Sequence, residues 1–345
     1  MPAEWEPHRA TWLAWPHRRS DWPGRFTPIP WVYAEIVRRL SRVEGVRIMV
    51  SDRAMETRAR GILRKAGAEE DRIDFFRFPT DRAWTRDYGP IFVKAGGGRG
   101  GPAVADFRFN AWAKYPDFRQ DDRVAARAAR ALGLKTIVPE AEVEGSRRRV
   151  VLEGGSIDVN GRGLLLTTEE CLLSPVQARN PGLSRKSVES VLEKYLGARK
   201  VLWLGRGIAG DDTHGHVDDL ARFVGPGTVV TVEEKDRADA NFEPLQENLE
   251  RLRGMTDQNG RPLQVVTLPM PRPLVFDGQR LPASYANFYI ANGLVLVPTF
   301  NDPSDRVALG ILSELFPDRE VTGIHCVDLV WGLGTLHCMT HEQPE

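Results

Sequence analysis

Four stretches of the chain carry apolar residues at helical spacing: Asp121–Leu132, Arg185–Leu196, Pro244–Met255 and Ser304–Phe316. In the second, Val188, Val191, Leu192 and Tyr195 fall on one face, as an amphipathic helix requires. A short β-rich run follows each helix: LKTIVPE, KVLWLG, LQVVTLP and VTGIHCV. Ahead of each helix stand two strand-like runs with turn chemistry between them. These are YGPIFVKAGGG with VADFRFN, SIDVNGRGLLLTT, LARFVGPGTVVTV and ANFYIANGLVLVP. Asn160-Gly161 and Asn292-Gly293 predict tight primed hairpin turns, which need positive φ. The pattern is strand–strand–helix–strand, recurring about every sixty residues.

A fifth, incomplete copy opens the chain. It has a strand over Thr11–Trp15, a helix over Trp31–Leu40 and a strand over Val46–Val50, and lacks its first strand. An extra helix and strand occupy Ala54–Phe78. The segment Thr335–Thr340 is predicted to supply the missing strand and close a ring of five units, which would leave no exposed sheet edge. The expected fold is therefore α/β: a five-bladed α/β-propeller forming one catalytic domain over residues 1–345.

Composition narrows the function. Lys and Arg total 47 against 47 Asp and Glu, so the chain has no electrostatic footprint for nucleic acid or an anionic membrane. Arg147-Arg148-Arg149 reads as a solvated face. No apolar run approaches the roughly 18 residues of a membrane helix. MPAEWEPHRATW has no apolar signal core, so export is not expected. Cys171, Cys326 and Cys338 are too few and scattered for a disulfide framework, which points to a reduced, cytoplasmic protein.

In a radial repeat, the leading ends of the first strands converge. Those ends read WTRDYGP, LEGGSI, HGHVDD, SYANF and LHCMTH. Four carry reactive or charged groups: Asp87, Glu153, His216 with Asp218, and Cys338. Cys171 and Cys326 read as small core hydrophobes. His214, His216 and Asp218 also resemble a metal site, and one zinc with bound water would hydrolyse an amidine. Histidines at i and i+2 on a strand point to opposite faces, however, so His216 with Asp218 is the better pair, a base and an anion.

Two carboxylates beside a thiol call for a cationic, donor-rich substrate. A guanidinium is planar and pairs bidentately with carboxylates. The Cys338 thiolate would attack its central carbon, His216 would protonate the departing ammonia and then activate water, and Glu153 would orient His216. This chemistry needs no metal or organic cofactor.

The chain resembles the agmatine deiminases of the guanidine-modifying superfamily, which have the pentein propeller fold. The resemblance rests on MPAEWEPHRATWLAWP, WTRDYGPIF, DFRFNAW, LEGGSIDVNGRGLLLTTEECLL, THGHVDDLARFV, ASYANFYIANGLVLVPTFND and GTLHC, which extend nearly end to end. It implies that Cys338 is the nucleophile, His216 the acid/base and Glu153 its support. It also implies that Asp87 and Asp218 bind the guanidinium and that Trp84 forms an aromatic wall, with a core tryptophan as the alternative. Hydrolysis of agmatine to N-carbamoylputrescine and ammonia, and a homodimer, are implied likewise. Departures from the family pattern are Leu333 between Gly332 and Gly334, Asp158 where many relatives carry histidine, and Ala113 where many carry glycine. The alternatives are a deiminase of peptidyl-arginine or free arginine, an amidinotransferase, a zinc-dependent hydrolase and a propeller used only for binding.

Overall fold

The computed structural model describes residues 1–94 and 100–345; the glycine turn expected at Gly96–Gly98 lies outside the described residues. The described chain divides into two compact units, Met1–Ala3 with Asp87–Thr267, and Glu4–Arg86 with Leu268–Glu345.

The first unit holds three of the expected modules. In one, strand Ile91–Lys94 pairs antiparallel with Pro102–Ala105, which pairs parallel with Lys135–Ile137 beyond the helix Val124–Leu132. The next repeats the plan with Asp158–Val159, Leu164–Thr168, the helix Arg185–Leu196 and Lys200–Leu204. The third uses Ala221–Gly225, Thr228–Glu233, the helix Phe242–Arg253 and Gln264–Pro269. Helix Arg185–Leu196 shows why the sequence pattern was readable. Ser184 caps its start by accepting from the Ser187 N–H, and Gly197 ends it at φ 77°. Val188, Val191 and Leu192 bury against Leu165 and Ile157 in the core.

The second unit holds the other two modules. Tyr289–Ala291 pairs antiparallel with Leu294–Thr299, which pairs parallel with Glu320–His325 after the helix Pro303–Leu315. The remaining sheet joins His8–Ala14, Gly45–Met49 and Ile73–Phe76 in parallel. His341–Pro344 adds to it, antiparallel to the first strand. The missing strand thus comes from the C-terminal segment, but from His341 onward. Thr335–Thr340 instead holds the short helix Leu336–Met339.

Other expectations are adjusted. Gly161 (φ 68°) and Gly293 (φ 66°) are left-handed, but the preceding asparagines are not. Asn160 instead accepts the Arg162 and Leu164 N–H groups on its side chain, 2.9 Å each, and closes the turn that way. The basic run is not wholly a solvated face. It lies on the hairpin strand Ser146–Arg149, where Arg149 reaches back to Asp106 at 2.6 Å. Among the described residues no helix is long and apolar enough to cross a membrane.

Candidate active site

The candidate residues lie on short helical turns just ahead of the modules' first strands, not on the strands. Asp87 is on the turn Thr85–Tyr88, Glu153 precedes Gly154–Ser156, and His216 precedes Val217–Asp219, which carries Asp218. Cys338 is on Leu336–Met339. Such turns are short enough to aim successive side chains in different directions. The strand-alternation argument for His214 and His216 therefore fails in its premise.

Within the first unit three predicted residues meet around Gly155. A Cβ placed there would stand 2.6 Å from His216 Nδ1, 2.7 Å from Asp87 Oδ1 and 3.1 Å from Asp218 Oδ2. Glycine is needed for close approach, and its N–H donates to Asp87 Oδ1 at 3.0 Å. The His216 imidazole lies between two acids, with Nδ1 3.7 Å from Asp87 Oδ1 and Nε2 3.8 Å from Glu153 Oε2. These separations exceed a hydrogen bond, so charge attraction rather than a formed bond links them. Asp87, Glu153, His216 and Asp218 are all buried.

The cluster sets its own ionisation. Burial pushes Asp87 up, to about 6. His216 opposes that, Asp218 and Glu153 add to it, and the Trp112 hydrogen bond works against it. Burial would also raise Glu153, but Arg179 and His216 outweigh it and hold the carboxyl at about 2. Burial would lower His216, yet Asp87, Cys171 and Glu153 carry it well above its ordinary value. Asp219 beside them is raised well above the carboxylate range by burial and by Asp218 and Asp211. An imidazole ringed by buried acids favours a positive charge among them.

Several contributors were not singled out from sequence. Trp112 Nε1 donates to Asp87 Oδ2 at 2.9 Å. Arg179, its side chain wholly buried, donates from Nε to Glu153 Oε1 at 3.0 Å. Asp211 shapes the histidine loop by accepting from Gly215 N–H at 2.7 Å and His216 N–H at 3.2 Å. Cys171 is in the core as expected, but its sulfur also lies within 4.8 Å of ligand atoms of Glu153 and His216. Among the described residues that trio is one of the groupings with metal-ligand spacing, and His214–His216–Asp218 is not. His214 turns away to Ser174 Oγ at 3.1 Å. The Arg179 cation, in contact with Glu153, disfavours a second cation in the trio.

Within the second unit, the Cys338 thiol is buried and Asn287 Nδ2 donates to its sulfur at 3.1 Å. A donor aimed at sulfur suits a thiolate, the attacking form. Asn287 comes from SYANF, the leading end that seemed to carry no chemistry. Trp84 is buried and packs on Trp22 with ring centroids 5.2 Å apart. It also lines the thiol loop: a Cβ on Gly334 would come within 2.9 Å of Trp84 Cζ3 and 3.2 Å of the Cys338 sulfur. Core and wall readings of Trp84 are therefore compatible.

The family departures have local explanations. Ala113 (φ 53°) and Leu333 (φ 69°) are both left-handed, the conformation glycine takes without strain. Asp158 pairs with the buried Arg222 at 3.2 Å and accepts the Phe223 N–H.

The mixed α/β modules and the acid-lined histidine are compatible with a hydrolase of the guanidine-modifying kind. Residues 1–344 match the Porphyromonas-type peptidyl-arginine deiminase family, and the chain belongs to that family. It is similar to the agmatine deiminase of Ectopseudomonas mendocina, 36% identical over 100% of this chain and 95% of that protein. The agmatine deiminase of Stutzerimonas stutzeri is 36% identical with the same coverage. The solved structure of Enterococcus faecalis agmatine deiminase superposes with a TM-score of 0.89 at 34% identity, covering 100% of this chain and 95% of that one.

Proposed function

We propose that this protein is an agmatine deiminase, hydrolysing agmatine to N-carbamoylputrescine and ammonia. The convergence of Asp87, His216 and Asp218 around Gly155 carries the chemical reading, and the full-length similarity to agmatine deiminases supports the substrate. Asp87 and Asp218 take the guanidinium N–H groups. The Cys338 thiolate attacks the central carbon, and His216 gives its proton to the departing ammonia, leaving a covalent S-alkylthiouronium on Cys338. Neutral His216 then takes a proton from water as the water adds to that carbon, the thiolate departs, and the remaining hydroxyl proton passes to solvent, where ammonia takes it up, leaving N-carbamoylputrescine. Glu153 holds the imidazolium through each cycle. Trp84 walls the substrate beside the thiol.

Both compact units belong, on this reading, to one catalytic domain of residues 1–345. The five modules form a closed propeller, a reading supported by pairing of the terminal strand with His8–Ala14. The absence of a disulfide among three buried cysteines suits a cytoplasmic enzyme. A homodimer that binds no nucleic acid is the matching assembly. Ammonia release is the test, measured with agmatine, arginine, a peptidyl-arginine and methylated arginines. Agmatine should be preferred, with activity abolished by iodoacetamide and indifferent to chelators. Preference for peptidyl-arginine, or loss of activity on chelation, would overturn this function.

A further inference from the structure

Among the described residues Arg179 is the one arginine set directly against the acid–histidine pair, and its side chain has no solvent exposure. Its guanidinium is spread over three segments. Nε donates to Glu153 Oε1 at 3.0 Å, Nη1 to the Gln177 carbonyl at 3.0 Å, and Nη2 to the Thr213 carbonyl. Thr213 lies three residues before His216, and its hydroxyl also accepts the His216 N–H at 3.3 Å. One planar cation therefore ties the glutamate to the loop that carries the histidine. Burying that charge is costly unless each donor is matched, and this site matches all three directions.

We propose that Arg179 is the positioning residue of the acid–base pair, holding Glu153 as a carboxylate at a fixed place beside His216. The inference rests on the reading of His216 as acid/base in guanidine hydrolysis. The groups acting on Glu153 are chiefly Arg179 and His216, with the Asp87 carboxyl as a like-charged neighbour. Those acting on His216 are Asp87, Cys171, Glu153 and Asp219, with Asp218 facing it across Gly155. Cys171 and Asp211 also face Arg179. Arg179 is thus the permanent cation that opposes protonation of Glu153. Without it, burial would favour the neutral acid, which neither stabilises an imidazolium nor keeps its orientation. Lysine would restore the charge but not the fork.

The test compares R179M and R179K with wild type in kcat and KM for agmatine across pH, and follows the Glu153 carboxyl by carbon NMR. R179M should lower kcat about a hundredfold while KM changes less than about threefold, in line with the loss of a histidine-orienting group. Its Glu153 carboxyl should titrate roughly two or more pH units higher than in wild type, moving the acidic limb of kcat upward. In an E153Q background, R179M should cost less than about threefold more, because the arginine acts through the glutamate. R179K should keep Glu153 ionised at pH 5 yet lose about tenfold in kcat.

An unmoved Glu153 titration in R179M, or full additivity with E153Q, would overturn the inference. If R179M fails to fold, R179K decides: wild-type kcat there contradicts the proposal. If the wild-type enzyme turns over no guanidine compound, the functional reading falls on its own, and the carboxyl titration still judges the role of Arg179.

Discussion

Asn287 gives its side-chain N–H to the Cys338 sulfur over 3.1 Å, while its carbonyl oxygen accepts from Thr335 Oγ1 at 2.7 Å and the His337 N–H at 3.1 Å. One amide therefore sets both the loop and the sulfur it presents. Asn287→Ala should lower kcat/KM by about 1.5–3 kcal/mol, the range for a hydrogen bond to a charged group. The rate of iodoacetamide alkylation should reach its plateau at a higher pH than in wild type. An unchanged alkylation profile would show that the amide only shapes the loop.

Gly155→Ala places a methyl where His216, Asp87 and Asp218 already crowd, with the nearest atom at 2.6 Å. One of the three must move, and the proposed mechanism uses each of them. The expected outcome is a fall in kcat of about a hundredfold or more, since misplacement by about 1 Å can cost that much. Thermal denaturation should shift far less than activity. Near-normal turnover would mean that the acids and histidine are not used at these positions.

The pH profile should report Asp87. Its carboxyl sits at about 6, pushed up by burial and by Asp218 and Glu153 against the pull of His216 and Trp112. Binding a guanidinium needs the carboxylate, so kcat/KM should fall roughly tenfold per pH unit below about 6, where free-enzyme ionisations appear. The bound cation keeps Asp87 ionised, so kcat should resist acid better. Trp112→Phe removes a donor to the carboxylate and should move the limb upward. A flat kcat/KM down to pH 5 would contradict this.

His341 should govern part of the acid stability. It is fully buried on the terminal strand, and burial, with Arg86 and His337 beside it, lowers its pKa to about 4 against the pull of Glu342 and Glu4. The unfolded chain binds this proton first. Stability from the neutral ring is whole above about 6.5 and drains away as pH falls towards 4, by about 3 kcal/mol at most. Asp87 acts in the opposite sense between about 6 and 3.8, so the comparison must be with a variant. His341→Leu should lose less stability than wild type between pH 7 and pH 5 in urea titrations. Equal losses would place the acid sensitivity elsewhere.

The helices and module order were readable because each carries a strong periodic signal. Arg185–Leu196, for example, has both its cap and its terminating glycine in the sequence. Asp87, Glu153, His216 and Cys338 stood out as candidates because their residue types are unusual at a strand entrance. Arg179 and Asn287 were not. An arginine among Gln177, Asn180 and Pro181 looks like surface until Glu153 is seen to bury it. Asn287 has no reactive group, and its meaning comes only from the sulfur it faces. The histidines flanking Cys338 also separate only in three dimensions: His337 binds Glu4 at 2.8 Å, whereas His341 lies in a strand. The metal-like trio escaped notice because Cys171 lies far from His216 in sequence and reads as core.

The covalent step is the centre of the account, and rapid quenching of enzyme with agmatine followed by peptide mass spectrometry tests it directly. The account predicts an adduct of agmatine less one ammonia on the peptide bearing Cys338, absent in Cys338→Ser and formed far more slowly in His216→Gln, which lacks the acid for ammonia departure. Steady turnover with no adduct, or an adduct on Cys171 or Cys326 instead, would contradict it.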